Sequence, residues 1–121
     1  MKVYITNKGA HNFEAAKVFG QFHFLSKGSM NRYSTNRMYR MFVEALEDSK
    51  EDDYLLPTGL STMNLIAAVI FALKHKRLNL LLFKDGSYVE RTLMFDEVGE
   101  SYKDLENVLQ FEGAKALLKE R

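Results

Sequence analysis

The chain has no cysteine. That removes disulfides, thiolate nucleophiles and cysteine-ligated metal sites at once, and it suits a reducing cytosol. Nor does it carry charge of one sign: 17 Lys and Arg stand against 16 Asp and Glu, a net charge of +1. Bulk electrostatic coating of nucleic acid is therefore not expected, although local patches are open to it. The start, MKVYITNKG, is a short alternating strand with one lysine and no signal-peptide apolar region. The longest apolar run, residues 65–73, is about half of what a membrane span needs. Internal repeats and low-complexity segments are lacking, and so are G-x-G-x-x-G and Walker sequences.

What is present is an ordinary globular composition, 46% hydrophobic and 27% charged over 121 residues. The expectation is one soluble, cytoplasmic domain over residues 1–121, with no membrane association. Val3–Thr6 alternates as a strand and ends at Asn7-Lys8-Gly9. Asn12 can cap a short helix, Phe13–Phe19, that stops at Gly20. Gln21–Leu25 reads as a second strand. Ser34 or Thr35 then opens a helix to about Asp48, with Met38, Met41, Phe42, Ala45 and Leu46 as its apolar stripe. The polar run Glu47–Asp53 reads as a loop of solvated charge.

Tyr54–Pro57 is a third strand, broken by Gly59 before Ser61 and Thr62. Both hydroxyls stand where the next helix, Met63–Lys74, must begin. That helix is apolar nearly all round, the pattern of one buried on more than one face. Leu78–Phe83 is a near-continuous apolar strand, and Asp85-Gly86 turns it back through Ser87–Leu93 as an antiparallel edge. Ser101 opens a final amphipathic segment with Leu105, Val108 and Leu109 on one side.

Strands alternating with helices predict an α/β, three-layer, Rossmann-like domain. Its sheet is mostly parallel in the order 2-1-3-4, with an antiparallel edge hairpin over 78–93 and a C-terminal helix. The opening KVYIT before a glycine-containing loop resembles small nucleotide- and nucleoside-binding Rossmann-like domains, a resemblance confined to those few residues. In such a winding, ligands bind beyond the carboxyl ends of the first and third strands. Here those ends are Asn7, Lys8, Gly9, His11 and Asn12, facing Thr58, Gly59, Ser61, Thr62 and Asn64. Backbone N–H groups, helix N-termini and one lysine can cradle a phosphate, carboxylate or ribose. The plainer reading is that the glycines permit turns and that Ser61 or Thr62 caps a helix. Arg32, in the loop after strand two, is within reach of the same end.

A second constellation, residues 27–40, interleaves bases with aromatics and amides and contains no acid. Lys27, Arg32, Tyr33, Arg37, Tyr39 and Arg40 suit phosphate contacts and base stacking. The plainer reading is a solvated loop and helix face. His11 can act as acid or base, but no Ser-His-Asp or paired-carboxylate pattern surrounds it. With His23 and His75 it gives no metal-ligand spacing, so neither metal nor cofactor is expected. The leading expectation is binding of a nucleotide-like or phosphorylated small molecule, without catalysis. The alternatives are a nucleic-acid-binding module over 27–40, or an interaction domain forming a homo-oligomer through edge strand 87–93 or the C-terminal helix.

Overall fold

The computed structural model describes residues 1–95. It is a mixed α/β domain: five strands in one sheet, a short 3-10 helix and two α-helices. The strands are β1 (Lys2–Ile5), β2 (Gln21–Phe24), β3 (Tyr54–Leu56), β4 (Arg77–Lys84) and β5 (Ser87–Met94), and the helices are α1 (Thr35–Ala45) and α2 (Ser61–His75). In the sheet the order is β2-β1-β3-β4-β5. β1 pairs parallel with β2 and β3, β3 parallel with β4, and β4 antiparallel with β5. The final amphipathic segment of the sequence lies outside the described residues.

Alternation along the parallel strands sorts their side chains onto two faces. Tyr4, Leu55 and Leu78 face α1 and α2, where Met38, Phe42, Leu46, Met63, Ala67 and Phe71 complete one core. Val3, Ile5, Leu56 and Leu81 face the other way, onto Phe13 and onto Ala16 of the 3-10 segment Glu14–Phe19 that follows it. Among the described residues, then, two helices cover one face of the sheet and a single short turn covers part of the other.

The 3-10 segment is shorter than the α-helix expected over Phe13–Phe19. The Asn12 side chain accepts the Glu14 N–H at 2.8 Å, and Phe13 O already takes the Ala16 N–H at 2.8 Å, which tightens the turn. It ends at Gly20, φ +153°, where a Cβ would stand 2.3 Å from the Met1 carbonyl oxygen. Only glycine lets β2 start that close to the N-terminus.

Three sequence expectations need correction. α2, expected to be buried on more than one face, keeps its outer side uncovered among the described residues: Met63, Ala67 and Phe71 are fully buried, yet Leu65, Val69 and Leu73 are 68%, 55% and 77% exposed. Nothing lies over its outer side among the described residues, because the sheet can occupy only one face of a helix. Asp53 is not solvated charge but 3% exposed. Its carboxylate accepts the N–H of Lys2 and of Lys50, both at 2.8 Å, and so ties the loop to β1. Neither Ser61 nor Thr62 caps α2: the N-cap residue is Leu60, with no side-chain cap bond.

The amino end of the sheet is knitted by polar groups. Asn79 donates to Glu51 O and Asp53 O at 2.7 and 2.9 Å, and its own Oδ1 accepts from Arg77 and Thr92. Beside it, Ser49 Oγ lies 2.8 Å from His75 Nε2 and 2.6 Å from Leu46 O, joining the ends of α1 and α2. At the far edge Asp85 and Gly86 have φ of 51° and 84°, the two positive values that a tight two-residue hairpin turn requires. No helix among the described residues is long and apolar enough to cross a membrane.

Candidate functional site

The carboxyl ends of β1 and β3 meet at Thr6, which is fully buried. Its Oγ1 accepts the Thr58 N–H at 2.8 Å and lies 2.6 Å from both Thr58 O and Asn64 Oδ1. A hydroxyl has one proton, so one of those two oxygens receives it. Asn64 Oδ1 also accepts the Thr58 N–H, at 3.0 Å. The first turn of α2 is thereby clamped to both strand ends.

Asn7 is engaged in the same way. Its Nδ2 donates to Gly28 O at 3.0 Å, and its Oδ1 lies 3.2 Å from Ser26 Oγ, which has the Thr6 carbonyl at 2.6 Å as a closer acceptor. Lys8 N–H donates to Ser26 O at 2.8 Å, so the chain segments of β1 and β2 stay paired up to three residues beyond their ends. The Lys8 ammonium lies 5.4 Å from the Phe24 ring centroid. Gly59 has φ +82°, and a Cβ there would stand 3.1 Å from Asn7 Cβ. Of the predicted ligand residues, then, Asn7, Thr58, Gly59 and Asn64 are brought together, but their polar groups serve one another.

Two features at this end are not consumed. The first is a pocket of about 280 Å³ lined by His11, Asn12, Phe13, Leu56, Pro57, Thr58, Phe83 and Tyr88. Three predicted residues, His11, Asn12 and Thr58, meet there. Its walls are mostly rings: Phe83 and Tyr88 pack edge to face at 5.4 Å, and His11 and Phe13 lie 6.3 Å apart. Burial holds the Tyr88 phenol above its usual titration range, so its hydroxyl keeps its proton. Phe83 and Tyr88 are residues that the sequence reading missed. The signal was there in the Asp85-Gly86 turn, which sets Phe83 directly opposite Tyr88 at the carboxyl end of β4.

The second is the N-terminus of α2. Leu60 O accepts the Asn64 N–H at 3.2 Å, the first bond of the helix. The N–H groups of Ser61, Thr62 and Met63 precede that bond and have no acceptor within the helix. Packing explains the apolar cap, because Leu60 lies against the core of the α1–α2 face. Ser61 is exposed and Thr62 is partly so.

The remaining predicted residues are placed apart. Lys8, Gly9 and Arg32 are exposed, and no hydrogen bond or ion pair among the described residues joins Arg32 to the pocket or to α2. In the basic segment, Lys27, Arg32, Tyr33, Arg37, Tyr39 and Arg40 are all exposed, Tyr33 at 81% and Tyr39 at 56%. Tyr39 and Arg40 stand instead on a groove between α1 and α2. Among the described residues no group of His, Asp and Glu is placed to hold a metal ion. His23 is buried at its Nε2, which has no hydrogen-bond partner, and its ring lies 5.6 Å from that of Tyr4.

A family model described as phage Pam3 gp32-like protein matches residues 1–107. The chain belongs to the phage Pam3 gp32-like family. The match takes in the whole sheet, both helices and every residue of the site above. No curated protein and no solved structure matches the chain.

Proposed function

We propose that this member of the phage Pam3 gp32-like family is a Rossmann-like domain that binds a small ligand with a flat ring and an anionic group. The ligand sits at the carboxyl ends of β1 and β3 and is bound without being turned over. The observation that carries the reading is the 280 Å³ pocket, where ring walls meet the polar edges of His11, Asn12, Thr58 and Tyr88. Apolar walls with a few convergent polar groups are the usual make-up of a small-molecule site. The anionic group has its own seat across the Pro57–Leu60 turn, on the open N–H groups of Ser61, Thr62 and Met63. Ser61 and Thr62 add hydroxyl donors. A nucleotide-like molecule has both halves.

The reading is tested by thermal unfolding with a panel of nucleosides, nucleotides and phosphorylated metabolites. A ligand at a hundred times its dissociation constant adds about 2.7 kcal/mol of stability. Tyr88→Ala is expected to abolish the shift for every ring-bearing compound. If no compound on the panel raises the melting temperature, the reading fails.

A second reading is a nucleic-acid interface over residues 27–40. It is favoured by the exposure of Lys27, Arg32, Arg37 and Arg40, none of which forms an ion pair among the described residues. Binding of that kind weakens steeply with salt, and Arg37→Ala with Arg40→Ala lowers the slope by about two. Salt-independent binding rejects it.

A further inference from the structure

We propose that the outer face of α1 and α2 is the contact between two copies of this chain, related by a two-fold axis. The face is a continuous apolar strip. Leu65, Val69 and Leu73 repeat every fourth residue along α2 and so form one line. Tyr39 and Val43 form a parallel line on α1, 56% and 42% exposed. Between the lines runs a groove of about 1040 Å³, floored by Leu46, Ile66 and Ile70. Single exposed apolar residues are ordinary, but a contiguous strip of five large ones marks an interaction surface.

The charge order on the groove selects a second copy as the occupant. Going down α1, the rim carries Arg40 first, then Glu44 and Glu47. A two-fold axis near Val43 and Val69 sets each α1 antiparallel to its copy. Arg40 of one protomer then approaches Glu47 of the other, and the pairing occurs twice, as an isologous contact requires. Lys74, at the acidic end, does not oppose this, since its ammonium is already turned onto the carbonyl oxygens of Leu46 and Glu47 of its own chain. α1 and α2 both connect parallel strands, so they run in the same direction. Two copies therefore form an antiparallel four-helix layer between two sheets. A standard interface takes roughly 800 Å² from each partner. Five large apolar side chains at these exposures, with the polar rim around them, are on that order.

The test is the mass of the full chain in solution between 1 and 100 μM (about the range in which interfaces of this size assemble). The expected mass is twice 14.0 kDa. Leu65→Glu with Val69→Glu is expected to give a monomer with an unchanged far-ultraviolet circular dichroism spectrum. Arg40→Glu and Glu47→Arg are each expected to weaken association about tenfold, and the two together to restore it. A monomer throughout overturns the proposal, whether the groove is open or covered by residues 96–121 of its own chain. So does a dimer indifferent to Leu65→Glu with Val69→Glu, which would associate through another surface such as the β5 edge. Failure of the double charge swap to restore association overturns the antiparallel arrangement.

Discussion

At the carboxyl ends of β1 and β3, the buried and half-buried polar side chains Thr6, Asn7, Ser26 and Asn64 find their partners inside the chain. On the outer face of α1 and α2, five apolar side chains find none among the described residues. The contrast has one physical origin. Where β1, β3 and the start of α2 converge, backbone N–H and C=O groups leave the sheet ladder and must be paired at once, so Thr6, Asn7, Ser26 and Asn64 are drawn inward. The outer helix face has no such demand, because apolar side chains carry no group that must be paired. The proposed ligand binding at the carboxyl end therefore rests on rings and backbone N–H groups, and the proposed association at the helices on apolar area.

The comparison breaks first on α2 itself, whose two faces carry similar residues in opposite surroundings. Phe71→Ala, on the inner face, is expected to cost about 3–5 kcal/mol through transfer and cavity terms. Leu73→Ala, on the 77% exposed outer face, is expected to stay within roughly 0.5 kcal/mol in a dilute monomer. Urea unfolding of both variants at low protein concentration measures the difference. Equal losses would mean that the outer face is buried in the isolated chain, and the contrast would be lost.

At the carboxyl end, Asn64→Leu removes the acceptor shared by Thr6 and Thr58, at an expected cost of about 1–3 kcal/mol. Gly59→Ala is expected to cost about 1–2 kcal/mol, because its φ of +82° is left-handed and its Cβ would press on Asn7. If either variant is neutral by chemical denaturation, the clamp is looser than its distances imply.

A smaller effect is expected from acid. Burial, followed by the Lys74 ammonium, holds the His75 imidazole below its usual value of 6.5. The unfolded chain therefore takes up that proton before the folded chain does. His75 contributes stability that is present above pH 6.5 and is lost as pH falls through its folded value. Denaturation midpoints measured from pH 8 to pH 5 are expected to fall, and His75→Asn to flatten this part of the curve. Smallest of all, Lys17→Ala breaks an exposed contact to Glu14 at 2.7 Å and is expected to change stability by less than about 0.5 kcal/mol.

Much of the architecture was legible in the residues. The stripe Met38, Met41, Phe42, Ala45 and Leu46 announces the inner face of α1, because helical periodicity is a local property that burial merely reads out. Asp85-Gly86 announces the β4–β5 hairpin, because few dipeptides tolerate two positive φ values in a row. The site was legible only in part. Both loops at the carboxyl end could be named, but not that Asn7 and Asn64 would turn inward, nor that Phe83 and Tyr88 would join from the hairpin. Those outcomes depend on which strand lies next to which.

By itself the sequence determined which segments form strands and which form helices, and which side of α1 faces the core. These follow from backbone preferences and from side-chain spacing over a few residues. Only the tertiary structure decided that Asp53 is a buried tether, that α2 keeps one apolar face uncovered among the described residues, and that Thr6, Asn7, Ser26 and Asn64 beyond β1 and β3 are engaged within the chain. A residue's hydrophobicity fixes how strongly it seeks cover or a partner. Whether it finds one is set by the neighbours that folding brings to it.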